Sequence, residues 1–341
     1  MNKRECFILC PMAGTSAQSL LQYRRGRSET TKAIMKIERI LCPTDLSPDS
    51  DEALRYAVAM TRAYEAELIV LHCAQPGSEF GMLNGKARDL FQPSLSRHLA
   101  TTELMNFAWT GVVTEGDDPG ACITAEAARR NIDLIVMRSR RRPTQAALLG
   151  STAESVCRTA PCPVMVMHSD ERDWVDDVAH GIELRRVLVA YDFSDHSELG
   201  LKYGLSFAQE YQAELHLLHV LPNAIKDPEI AWYPMGTDGA YHKAARRLQK
   251  TVPPEAHLWC KVKDAISEGQ PYREILSYAE RNKIDLICIG AHGAGFGMRA
   301  LFGSNVDRVL RQAPCPVLVT RPLKPATVQS RERILQTAIA V

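Results

Sequence analysis

A chain of 341 residues is long enough for two domains, each with its own core. Its 41 basic and 40 acidic side chains leave a formal charge of +1, which offers no electrostatic pull toward nucleic acid or an anionic membrane surface. No apolar run approaches the ~20 residues that span a bilayer. The ten cysteines are scattered, several inside apolar runs (Cys73, Cys288), as befits a reducing compartment. Cys6 and Cys10 are the only close pair, and they lack the further ligands of a zinc site. A soluble, cytoplasmic protein is expected, with neither nucleic acid nor membrane as a partner.

Residues 1–35 have no sustained periodicity, cluster Arg24, Arg25 and Arg27, and lack the apolar core of a secretory signal. Met35-Lys36-Ile37 leads straight into the first apolar run. The stretch before it therefore reads as an N-terminal extension, from an upstream start codon or as a mobile tail. From there the chain is written twice. Arg39 to Ser47 (RILCPTDLS) recurs as Arg186 to Ser194 (RVLVAYDFS), and Ala66 to His72 (AELIVLH) as Ala213 to His219 (AELHLLH). Ile132 to Ile135 (IDLI) returns at Ile284 to Ile287, and Ala160 to Val164 (APCPV) at Ala313 to Val317.

In each copy short apolar runs alternate with helical patterns, the signature of βαβ units and a parallel sheet. The first strand ends at Asp45 or Asp192. A helix follows whose Leu54/Val58 or Leu201/Leu205 pair faces the sheet. The second strand is expected at Leu68–Leu71 and Leu215–Leu218, and the third near Trp109–Val113 and Trp259–Ile266. The fourth is expected at Leu134–Met137 and Leu286–Ile289, and the fifth at Val164–Met167 and Val317–Thr320. Ser169–Glu183 is acidic, without a periodic face, and reads as a linker. A C-terminal tail, 323–341, follows the second copy.

One stretch carries the chemistry. The buried-type strand Leu286–Ile289 runs into Gly290, Gly293, Gly295, Gly297 and Gly303-Ser304, and a helix begins at Asn305. Strand, glycine loop and helix N-terminus together hold phosphates: glycine permits positive φ and close approach of backbone N–H groups, and the helix supplies free amides. The Ser304 hydroxyl can cap that helix or donate to a phosphate oxygen. The spacing Gly290-x2-Gly293-x9-Gly303-Ser304 matches neither a P-loop nor a dinucleotide-binding fingerprint.

At these residues the chain resembles the ATP-binding branch of the universal stress protein family, whose signature is G-x2-G-x9-G-(S/T). The resemblance covers residues 36–168 and 184–322. It implies two tandem α/β domains, each a five-stranded parallel sheet of order 3-2-1-4-5 with helices on both faces, joined by a linker at 169–183. It places ATP at the carboxyl ends of the first and fourth strands of the second domain. Phosphates held on backbone amides would bring a cation such as Mg²⁺ with them, although no dedicated ligand set is visible. At those strand ends Ala190, Tyr191 and Asp192 map to the nucleoside contact, and Val220 to a backbone contact with adenine. Gly290, Gly293, Gly303, Ser304 and Asn305 map to the ribose-phosphate cradle. It also implies a stress-response sensor or regulator acting through an unknown protein partner. Its fifth strands are edges that pair, so the tandem chain can make its dimer internally, and homodimerisation of the whole chain stays open.

Read as residues alone, Asp192 can accept from ribose hydroxyls or form an Asx turn before the next helix. His292 and Arg299 can donate to phosphate or be solvated loop residues. His72 and His219, at the ends of the second strands, read as hydrogen-bonded structural histidines. The first copy departs from the signature: Arg138 and Arg141 stand where Gly290 and Gly293 stand, and the loop is one residue shorter. Pro43, Thr44, Asp45, Gly150 and Ser151 remain as a degenerate site, with Arg138, Arg140, Arg141 and Arg142 either solvated or binding an anion through side chains. No catalytic constellation is evident. Slow ATP hydrolysis or phosphoryl or nucleotidyl transfer, and a nucleotide-free carrier or scaffold, are the alternative functions.

Overall fold

The computed structural model describes residues 36–78, 86–139, 150–168, 172–175, 181–221, 237–292 and 303–321. Gly293, Arg299, Arg140, Arg141 and Arg142, the N-terminal extension and the C-terminal tail lie outside the described residues. The first copy runs β1 (Arg39–Pro43), α1 (Pro48–Tyr64), β2 (Glu67–Ala74), α2 (Ala87–Leu95), α3 (Thr101–Asn106), β3 (Trp109–Glu115), α4 (Pro119–Arg129), β4 (Leu134–Arg138), α5 (Ser151–Thr159) and β5 (Val164–Met167). The second runs β6 (Arg186–Ala190), α6 (Asp195–Tyr211), β7 (Glu214–Leu221), α7 (Thr237–Gln249), β8 (Val262–Glu268), α8 (Pro271–Arg281), β9 (Leu286–Gly290), α9 (Ser304–Gln312) and β10 (Val317–Thr320). The second copy's third strand thus begins later than its apolar run suggests, because Pro254–Leu258 forms a 3₁₀ turn just before Trp259.

All ten strands form one sheet in the order β3-β2-β1-β4-β5-β10-β9-β6-β7-β8. Each half is parallel and has the expected 3-2-1-4-5 order. The two halves join where β5 and β10 pair antiparallel, with Leu318 opposite Met165. Strands buried on both faces need apolar residues at every position. Val187, Leu188 and Val189 in β6 are fully buried, as are Leu286, Ile287 and Cys288 in β9. Alternate residues serve two layers. Ile40, Cys42, Val187 and Val189 pack with residues of α1 and α6, while Leu41, Leu188, Val306 and Val309 pack with residues of α4, α5, α8 and α9.

The backbone repeats too. Leu46 and Phe193, Glu65 and Gln212, and Asn131 and Lys283 all take left-handed φ of 50–64° at matching places in the two copies. The segment expected as a linker is packed in its described part. Trp174 is 2% exposed and meets Tyr56 edge to face at 4.7 Å. Asp173 accepts from the Tyr56 hydroxyl at 2.8 Å and from Arg55. Arg172 reaches the second half, donating to the carbonyls of Ala279 and Ile284 at 3.0 and 2.7 Å.

Candidate functional site

In each half the strand order reverses between the first and fourth strands, leaving a crevice at their carboxyl ends. In the second half β6 enters it through Ala190 and Tyr191. The Tyr191 N–H continues the ladder to the Leu218 carbonyl at 2.8 Å. Its own carbonyl faces His219 Nδ1 at 2.8 Å, so Nδ1 carries the proton and donates. His72 meets the Thr44 carbonyl the same way at 2.9 Å. Both histidines are fixed in structural hydrogen bonds.

Asp192 turns the chain. Its Oδ1 accepts from the Ser194 N–H at 3.1 Å and from the Ser194 hydroxyl, holding Phe193 at φ 64°. Ser194 then caps α6, accepting from the Ser197 N–H at 3.2 Å. The Asx turn expected as one alternative is therefore present, and Asp45 builds the same turn with Ser47. Tyr191 donates to Glu198 at 2.6 Å. Burial, reinforced by that carboxylate, pushes its phenol above the ordinary range.

The crevice has a volume of about 240 Å³. Ala190, Tyr191, Asp192 and Val220 form one side, and Gly290, Gly303, Ser304 and Asn305 the other, so every expected site residue among the described ones lines it. Leu218, Ile275, Ile289 and Val306 make its apolar floor, with Ser197, Pro271 and His292 beside them. Of these seven, only His292 is marked in the sequence, as a candidate phosphate donor; the other six carry no motif. Only Pro271, which opens α8 just after Gly269, sits at a readable boundary.

Neither Gly290 nor Gly303 uses the positive φ expected of a glycine loop: neither is left-handed, and Gly303 has φ −59°. A Cβ on Gly290 would lie 2.7–3.0 Å from His196 of α6. Gly303 is the N-cap of α9 and has no side chain to satisfy the helix's first amides. Ser304 is already the first helical residue, so the capping role considered for its hydroxyl is not taken, and its side chain is exposed. The uncapped first turn opens beside the crevice, with the positive end of the helix dipole.

The first half holds a corresponding cavity of about 330 Å³, lined by Pro43, Thr44, Asp45, Gly150 and Ser151 among others. Arg138, standing for Gly290, is committed within the protein. It donates to the Asp49 carbonyl at 2.8 Å and to the Glu52 carboxylate at 2.7 Å. Its charge is thereby neutralised, which removes it from the anion-binding role considered for it.

A sheet with two switch-point crevices, related by an internal repeat, defines a tandem doubly wound α/β protein. The chain belongs to the universal stress protein family: the model of that family matches residues 36–168 and again 183–321. A universal stress protein of Mycolicibacterium smegmatis is 26% identical over 297 residues, covering 83% of this chain and 97% of that one. One from Methanocaldococcus jannaschii is 31% identical over 144 residues, 41% of this chain and 84% of its own. The crystal structure of a universal stress protein from Archaeoglobus fulgidus superposes with a TM-score of 0.63 at 25% identity, over 84% of this chain and 99% of that chain. No helix among the described residues is long and apolar enough to cross a membrane.

Proposed function

We propose that this universal stress protein binds ATP in the crevice of its second domain, 184–322, and serves as a cytoplasmic stress-response regulator whose output is a conformational or partner-binding change. The observation that carries this reading is the convergence of Ala190, Tyr191, Asp192, Val220, Gly290, Gly303, Ser304 and Asn305 on one crevice beside an uncapped helix N-terminus. The apolar floor suits a purine ring, the Asp192 carboxylate suits hydroxyls, and the α9 amides suit phosphates. Mg²⁺ would arrive with the phosphates, since the described residues contain no group of three or more His, Cys, Asp or Glu placed to hold a metal. The first domain, 36–168, would be the non-nucleotide partner of this arrangement, because Arg138 occupies the place of Gly290.

The test is nucleotide content. Protein purified without added ligand is denatured and the released nucleotide identified by mass spectrometry, with Gly303→Val alongside. About one ATP per chain, lost in the variant, is the expected result. Two per chain would show that the first domain binds as well. Release of ADP with turnover would favour the enzymatic alternative. If nothing is released and added ATP gives no thermal shift, the crevice is architecture and the carrier or scaffold reading takes over.

A further inference from the structure

The carboxyl end of β10 holds a cation that the nucleotide site described above leaves unused. Thr320 ties this end of the strand in two places. Its carbonyl accepts from the Ala291 N–H at 2.8 Å, and its hydroxyl donates to the His196 carbonyl at 3.2 Å. The next residue, Arg321, is thus set beside both His196 at the start of α6 and His292 at the exit of β9. The two imidazole rings meet edge to face with centroids 5.2 Å apart.

Three features mark this cluster as incomplete. Arg321 is half-buried, and no carboxylate among the described residues pairs with it; withdrawal from water lowers its proton affinity with nothing opposing. His292 lines the crevice, and its buried Nδ1 has no hydrogen-bond partner among the described residues. Both imidazoles are pushed toward the neutral form. Burial is the main cause for each, with Arg321 adding to it for His196, and His196 and then Arg321 for His292. Asp192 and Asp195 draw His196 the other way. A half-buried guanidinium without a counter-charge is costly unless an anion completes it.

We infer that Arg321, with His292 and His196 beside it, receives the terminal phosphate of the nucleotide and makes the second-domain crevice selective for a triphosphate. The inference rests on the nucleotide reading of that crevice. The cluster belongs to the second domain alone. His196 is replaced by Asp49, and Arg321 by His168, which is buried between the carbonyls of Ser139 and Leu310. Guanidinium and phosphate make charge-assisted, two-pronged hydrogen bonds, whereas a neutral imidazole at His292 supplies a single donor.

Isothermal titration of ATP, ADP and AMP against the wild-type chain, Arg321→Met and Arg321→Lys tests this. Wild type is expected to prefer ATP over AMP. Arg321→Met should weaken ATP by about tenfold or more while leaving AMP unchanged, and Arg321→Lys should keep most of the preference. If Arg321→Met does not fold, His292→Gln carries the test, with a smaller loss confined to ATP. Equal losses for ATP and AMP, or a wild type indifferent between them, would overturn the inference and leave the nucleotide reading standing. A wild type that binds none of the three overturns both.

Discussion

A methyl group added at Gly290 would lie 2.7 Å from the His196 Cβ and 2.8 Å from its carbonyl carbon, while at Gly303 the nearest atom is the Ala291 carbonyl oxygen at 3.4 Å. The same signature therefore contains two glycines with different work. Gly290 lets α6 lie against β9, and Gly303 leaves the α9 amides open. Gly290→Ala is expected to lower stability by about 1–3 kcal/mol in urea unfolding, and Gly303→Ala to change it by less than about 0.5 kcal/mol. ATP affinity, under the proposed function, should fall in both. Equal stability losses in the two variants would refute this division of labour. His216 offers a second prediction at this scale. It is 1% exposed, sits 2.9 Å from the Tyr278 hydroxyl, and is held down to a pKa of about 4 by burial against the opposing pull of Glu214. Between the unfolded value near 6.5 and that folded value, the unfolded chain takes up a proton that the folded chain refuses. Its contribution is complete above pH 6.5, declines as pH falls through this window, and levels off below about 4, with a limit on the order of 3 kcal/mol. Urea midpoints from pH 8 to 4 should show the decline in wild type and a flatter curve in His216→Leu, whatever its plateau; parallel curves would contradict it.

At the scale of elements, what the sequence made legible was whatever depends on local spacing. Apolar runs located nine of the ten strands closely, and the offset repeats located both halves, because a strand buried on both faces has little freedom in composition. The glycine signature located the crevice. What escaped depends on partners distant in sequence. Nothing local distinguishes Arg138 in a solvated basic loop from Arg138 paired to Glu52, 86 residues away. Phe193 gives no hint of a left-handed φ until its flanking Asp192 and Ser194 close their Asx turn. The acidic stretch after β5 lacks periodicity because its anchors are single residues: Arg172 reaches the Ala279 and Ile284 carbonyls, while Asp173 and Trp174 both meet α1. That packing is testable. Trp174→Ala is expected to cost about 3–5 kcal/mol, the range for a fully buried aromatic. In a free tether the same change would register less than about 0.5 kcal/mol, and a result that small would restore the reading of a plain linker.

Across the whole molecule, the antiparallel pairing of β5 with β10 turns two folding units into one sheet. The helical layers reinforce the junction. Tyr64 of α1 meets Phe207 and Tyr211 of α6 edge to face at 6.4 and 6.5 Å, and His168 reaches across to the Leu310 carbonyl of α9. Apolar residues of both halves share each layer, so neither half can open without exposing surface on the other. The two halves should therefore unfold together. Leu134→Ala, at the start of β4 and fully buried, is a change in the first half with an expected cost of about 2–5 kcal/mol. Hydrogen exchange followed by mass spectrometry is expected to show the protection of β6 and β9 falling by the same free energy as that of β1 and β4. ATP held in the second half would act in reverse. At a hundredfold excess over its dissociation constant it adds about 2.7 kcal/mol to whatever unfolds with its site, and under this coupling β1 gains that protection as fully as β6. If the Leu134→Ala loss stays in the first half, the junction is a contact between independent domains. A nucleotide signal in the second half would then have no route through the sheet to the first.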